Sequence, residues 1–251
     1  MTDQLRETLS DAGRVLAMEG HGDYVAGHIS VRLPNDPGRF LMKPAGIGIE
    51  EMRPDNIVTV DIEGQKVGGT MPRHNEVFIH SEVLRARSDV QCVIHSHPIH
   101  AVAFSSLDRP LVAVSNDGMA FADGRLPVFS ETTDLIVNQD RGRGVARCLG
   151  PHPALILRNH GIVATGASIE EAVWVAIKLE KACRVQLLAE SAGGPKLVAE
   201  GEDLEKKRKR GNRPDLHKNV FGYLVRRWRC VCCGETVPAP HVTTFENKDG
   251  T

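Results

Sequence analysis

The chain has 251 residues, 41% of them hydrophobic, and a formal net charge of −1 at pH 7. That length supports one sizeable core without demanding a second, and the near-neutral balance excludes a general field for nucleic acid or an anionic membrane. Met1-Thr2-Asp3-Gln4-Leu5-Arg6 lacks the basic and apolar stretches of a secretory signal and no segment reads as a transmembrane span, so a cytoplasmic protein is expected.

Leu5, Leu9, Ala12 and Leu16 recur at helical spacing, which predicts an amphipathic helix over residues 3–20, with Gly20 and Gly22 near its end. Short strands follow at 29–33, 39–42 and 57–61, separated by Pro- and Gly-containing turns, with Glu63-Gly64 as a hairpin turn. A helix over 76–87, with Asn75 as its N-cap and Glu76 in its first turn, leads into a strand ending at His95-Ser96-His97-Pro98. Residues 112–114 and 126–128 are weaker strand candidates, and a further helix is expected after the cluster Glu131-Thr132-Thr133-Asp134. Over 168–190, Ser168 and Glu171 form a capping box, and Ala172, Val173, Ala176, Leu179, Cys183 and Leu187 make a continuous apolar stripe. Beyond Gly193-Gly194-Pro195 a second region begins. Its basic run at 206–210 follows Glu202, Asp203 and Glu205 and reads as a solvated helix face. Strands interleaved with helices imply an α/β or α+β layered domain over 1–195, with a C-terminal helical extension and tail over 196–251.

The residues that carry chemistry are imidazoles. A strand turns alternate side chains to one face, so His95 and His97 can share one metal ion. Arg158-Asn159-His160-Gly161 places another imidazole after the apolar run at 154–157, where Gly161 lets the chain turn sharply. With Glu76 these make a borderline-soft site suited to Zn2+, Mn2+, Fe2+ or Co2+. His100 and His152 lack such framing and read as structural. Cys92, Cys148 and Cys183 suggest no disulfide framework. Cys230, Cys232 and Cys233, with His241, read as an ordinary cysteine-rich tail rather than a zinc site.

Gly27-His28-Ile29-Ser30-Val31-Arg32, Pro44-Ala45-Gly46, Glu76, His95-Ser96-His97-Pro98 and Asn159-His160-Gly161 together resemble the class II aldolase and adducin family over residues 5–190. The resemblance implies a single-domain three-layer α/β/α fold on a mostly antiparallel central sheet. It implies one divalent ion per subunit, held by His95, His97 and His160, with Glu76 as a fourth ligand or a base that swings off the metal. It also implies a homotetramer with active sites between neighbouring subunits.

Three departures bear on substrate. Sugar-phosphate members of this family hold phosphate with small neutral donors, at places where this chain has His28, Ala45 and His74-Asn75. His28, Lys43, Arg73 and His74 can instead form a cationic rim for carboxylates, with Ser30 and Gly46 beside it. This pattern resembles the decarboxylase branch, which acts on hydroxylated aromatic dicarboxylates such as dihydroxyphthalates. Glu76 or His74 is then the expected proton donor, and Tyr223 could reach a neighbour's site. Asp117, in an Asp-Gly turn, could assist as a base. A small anionic aromatic is the expected partner. An aldolase or epimerase on a hydroxy-carbonyl or sugar-phosphate compound is the alternative, and a non-catalytic adducin-like module the third reading.

Overall fold

The computed structural model describes residues 2–122 and 124–234. In chain order the elements are α1 (Thr2–Leu16), β1 (His28–Leu33), β2 (Asp36–Met42), β3 (Val58–Asp61), β4 (Lys66–Gly68), α2 (Val77–Ala86), β5 (Cys92–Ser96) and α3 (Ile99–Ser105). There follow β6 (Val128–Phe129), α4 (Gln139–Leu149), β7 (Ala154–Leu157), β8 (Gly161–Gly166), α5 (Ile169–Ser191), α6 (Gly201–Gly211) and α7 (Pro214–Cys233). The strands form one open sheet in the order β4-β3-β2-β1-β5-β8-β7-β6. Every neighbouring pair is antiparallel except β6 with β7.

Two apolar layers sandwich this sheet because the central strands bury side chains on both faces. Ile29, Val31, Cys92, Ile94, Ile162 and Ala164 face α1, α3 and α5, whereas Phe40, Met42, Val93, Leu155 and Val163 face α2 and α4. Ile94 and Val93 are fully excluded from solvent, each stabilising the fold by about 1.5–3 kcal/mol relative to exposure. The expected three-layer α/β/α architecture is the one observed. Helix α7 packs on α5 and α1 and adds Phe221 and Leu224 to the first layer. No helix among the described residues is long and apolar enough to cross a membrane.

Several local expectations differ from the structure. Helix α2 begins at Val77 with Glu76, not Asn75, at the N-cap, and neither side chain caps it. The Glu76 carboxylate accepts instead from the Ile136 amide at 2.9 Å. Residues 112–114 form no strand. The Val112 amide donates to Gln186 Oε1 and the Ala113 carbonyl accepts from Ala199, which takes the backbone groups away from any ladder. The helix expected after residue 134 starts at Gln139, where Asn138 accepts from the Arg141 amide at 3.0 Å. Ser168 caps α5 as expected, but Glu171 reaches the Ala167 amide rather than that of Ser168. In the basic run Lys206 pairs with Glu202 on the surface, while Arg208 turns inward onto the Met119 and Ala122 carbonyls. Cys230 and Cys232 are exposed on α7, and His241 lies outside the described residues.

Candidate metal centre

The site forms at the rim of the sheet where β1, β5 and β8 meet the start of α2. Antiparallel register puts His28 directly opposite His95, and His95 opposite Val163, so both imidazoles share the α2 face with Ser30 and Val93. His97 follows β5, and His160 precedes β8. The chain turns before β8 at Asn159, whose φ of 55° is left-handed, a conformation Asn tolerates better than most residues. Gly161 is needed for a different reason than the expected turn. A Cβ there would meet the Ser96 carbonyl and come within 2.6 Å of His97 Cδ2. The smallness of Gly161 lets the His160 turn close against the His97 segment.

Four donors converge. His95 Nε2 lies 3.7 Å from Glu76 Oε2, His160 Nε2 3.8 Å from Glu76 Oε1, and His97 Nε2 3.0 Å from His95 Nε2. The outer nitrogens decide the tautomers. His95 Nδ1 is 3.0 Å from the Ile162 carbonyl and His97 Nδ1 is 2.8 Å from Asp23 Oδ2. Both partners accept, so each Nδ1 carries the proton and each Nε2 presents a lone pair. Two lone pairs 3.0 Å apart repel unless a cation lies between them. Burial, then the neighbouring His97 and His160, holds His95 well below the ordinary histidine range, and burial with His97 takes His160 down to about 4. Neutral imidazoles beside a carboxylate are a donor set that fits a divalent first-row ion. His28, Glu76 and His95 make a second, overlapping group of donors close enough for an ion.

Around this cluster stand the expected substrate residues, two of them in unexpected settings. Lys43 is fully buried, its Nζ donates to the Val25 carbonyl at 2.9 Å, and burial lowers its pKa to about 8. His28 is likewise buried, held well below the ordinary range by burial and by His80, so it contributes polarity rather than charge. His74 lies 4.3 Å from His28 between ring centroids and is taken down to about 4, chiefly by burial. Both His28 Nε2 and His74 Nε2 are buried without a partner. Arg73 donates to the His74 carbonyl and lies over the Phe78 ring, on the strand bridge that joins it to Pro44. Gly46 sits in the exposed turn beyond that bridge. Ser30 is buried and bonded to His80.

Tyr223 and Asp117 are not with the imidazoles. Both line a crevice of about 300 Å³ between α5 and α7, alongside Trp174 and Glu19, and Asp117 pairs with Lys178 at 3.0 Å. His100 is bound by Glu180 of α5, a structural role as expected. The sequence reading missed Asp23, His80 and His21, the last bonded through Nδ1 to Ser96 Oγ at 2.9 Å. For His80 a signal existed. It lies one helical turn beyond Glu76, on the same face of α2.

This fold and donor arrangement define a class of protein. The model of the Class II Aldolase and Adducin N-terminal domain matches residues 7–187, and the chain belongs to that family. Among its relatives, a 3,4-dihydroxyphthalate decarboxylase of Arthrobacter keyseri is 32% identical over 199 residues, covering 75% of this chain and 80% of that protein. A 4-hydroxy-3-prenylphenylpyruvate oxygenase/4-hydroxy-3-prenylbenzoate synthase of Streptomyces roseochromogenus subsp. oscitans is 36% identical over 174 residues. That match covers 68% of this chain and spans 62% of the relative's length. The solved L-fuculose 1-phosphate aldolase from Glaciozyma antarctica PI12 superposes with a TM-score of 0.81 at 30% identity, covering 93% of this chain and 91% of that one.

Proposed function

We propose that the protein is a divalent-metal-dependent carbon–carbon lyase that decarboxylates a hydroxylated aromatic dicarboxylate of the 3,4-dihydroxyphthalate type. His95, His97 and His160 hold the ion, with Glu76 as fourth ligand or as a carboxylate that moves aside. The observation that carries this reading is the 3.0 Å approach of His95 Nε2 and His97 Nε2, whose tautomers leave two lone pairs to be shared by one cation. Zn2+ or Mn2+ suits the set, and Fe2+ or Co2+ shares its ligand preferences.

A divalent ion bound there supplies a Lewis acid for the substrate oxygens that take up electron density as the carbon–carbon bond breaks. The remaining tasks belong to the chain's own residues. Arg73 grips a ring carboxylate, a geometry suited to its planar fork. His28 and His74, 4.3 Å apart between ring centroids, each hold a buried Nε2 without a partner, free to meet a polar substrate group. In the absence of an ion, burial raises the Glu76 pKa against the opposing Ile136 hydrogen bond; once moved aside from the ion, Glu76 is the group that delivers a proton to the ring carbon. Tyr223, half exposed on α7, serves a neighbouring subunit's site in a homotetramer.

The decarboxylase relative supports this substrate class, and so does the loss of the small neutral phosphate donors at His28, Ala45 and His74-Asn75. The structural likeness to an L-fuculose 1-phosphate aldolase favours aldol cleavage as the second reading. Both are tested by carbon dioxide release from dihydroxyphthalate isomers, run beside aldol cleavage of L-fuculose 1-phosphate, with protein loaded separately with zinc and manganese. Release from one isomer, lost on chelation, is the expected result. Aldol cleavage alone would overturn it, and oxygen uptake recorded in the same runs would redirect the assignment toward an oxygenase.

A further inference from the structure

Behind the metal donors runs a second line of side chains that the metal reading leaves unused. His80, fully buried on α2, has Nδ1 2.7 Å from Ser30 Oγ and Nε2 2.6 Å from His28 Nδ1. Ser30 and His28 stand two residues apart on one face of β1, and both are fully buried. The line ends at His28 Nε2, which is buried and unpartnered, with Glu76 Oε2 3.9 Å away.

Counting donors gives the direction of the protons. When the Ser30 hydroxyl donates to His80 Nδ1, His80 must carry its proton on Nε2 and donate it to His28 Nδ1. His28 then carries its own proton on Nε2. In the reverse direction Ser30 accepts, and its hydroxyl proton has no acceptor among the described hydrogen bonds. The first direction leaves a single buried site unpaired, the His28 Nε2–H, whereas the reverse leaves two, the Ser30 hydroxyl proton and the His28 Nε2 lone pair, and buried polar groups in native proteins are nearly always paired. A second proton on either ring does not help, because His80 would then donate through Nδ1 and the Ser30 hydroxyl proton would again have no acceptor among the described hydrogen bonds.

We propose that Ser30 and His80 are positioning residues that lock His28 as a neutral Nε2–H tautomer, so that His28 donates to a substrate oxyanion and does not ligate the ion. The inference deepens the proposed function, since it rests on the metal centre being the substrate site and names how one residue beside it recognises an anion. It also separates the two overlapping donor groups. A proton on His28 Nε2 removes His28 from the set with Glu76 and His95 and leaves His95, His97 and His160 as the imidazole ligands.

The test is long-range proton–nitrogen correlation on the full chain with 15N-labelled histidine, recorded with and without zinc. His28 and His80 are both expected as Nε2–H. In His80→Phe, His28 becomes a mixture of tautomers. In His80→Gln, whose amide can donate to His28 Nδ1, the single Nε2–H form returns. Zinc affinity of His28→Gln stays within about threefold of the parent, because no ligand is lost. A proton on His28 Nδ1 in the parent, or a loss of zinc affinity above about tenfold in His28→Gln, overturns the proposal. If His80→Phe fails to fold, the parent spectrum and His28→Gln decide. No turnover is read, so failure of the decarboxylation assay would remove the substrate reading while the tautomer result stands by itself.

Discussion

At the residue scale, the candidate metal centre depends on groups that touch no donor lone pair. Asp23 holds His97 through Nδ1, which fixes the ring's orientation and its tautomer. Asp23→Asn is expected to lower zinc affinity about 10- to 100-fold with little change in fold, measured by competition with a chromophoric chelator. His97→Ala is expected to abolish metal retention altogether, and full metal content in that variant would sink the ligand assignment. The imidazoles were legible in the sequence because strand alternation puts His95 and His97 on one face. Asp23 was not, since it meets His97 across 74 residues of chain and nothing in Gly22-Asp23-Tyr24 marks it as a partner. Lys43 misled for a related reason. It reads as a cation of an open rim, but just past β2 it is fully buried, and its Nζ donates to the Val25 carbonyl at 2.9 Å and the Pro44 carbonyl at 3.4 Å, which makes that burial tolerable.

At the element scale, the β5–β8 pairing positions all three imidazoles, His95 within β5, His97 just after it and His160 just before β8, and the closest approach there is at Gly161. Gly161→Ala would drive a Cβ into the Ser96 carbonyl and the His97 ring, and the two segments would have to part. A loss of about 1–3 kcal/mol is expected from such overpacking, read by denaturant unfolding, together with weakened metal binding read by the chelator. An unchanged midpoint would mean that the His160 turn moves without cost. Elements with strong periodicity, α1 and α5, were legible within a few residues, because one apolar face defines each. The 112–114 segment was not. Its Val-Ala-Val composition suits a strand, but its backbone partners come from α5 and from Ala199. Local propensity yields to whichever hydrogen-bond partners the tertiary fold supplies.

At the scale of the whole molecule, the buried imidazoles set a pH response. Burial takes His21 and His74 to about 4 and His80 to about 3, and His160 to about 4 with help from His97. The unfolded chain, with ordinary histidines near 6.5, binds more protons than the folded one between those values. Stability therefore rises with pH from about 4 to about 6.5 and is lost as pH falls through that window. Glu76, raised by burial, opposes this in part, because its contribution fades as pH rises. Thermal unfolding of chelator-treated protein from pH 7 to pH 4 should show a steep fall in Tm, and a flat profile would mean the cluster is hydrated and charges freely.

By itself the sequence determined the family and the layered fold and singled out the candidate imidazole donors, because these follow from periodicity and from motifs a few residues long. Which nitrogen of each ring faces inward, which cations are buried, and how Ser30, His80 and His28 line up were decided only by the tertiary structure. Those properties depend on contacts between segments tens of residues apart, and in a buried site the second partner of each group, rather than the group itself, sets its proton and its charge.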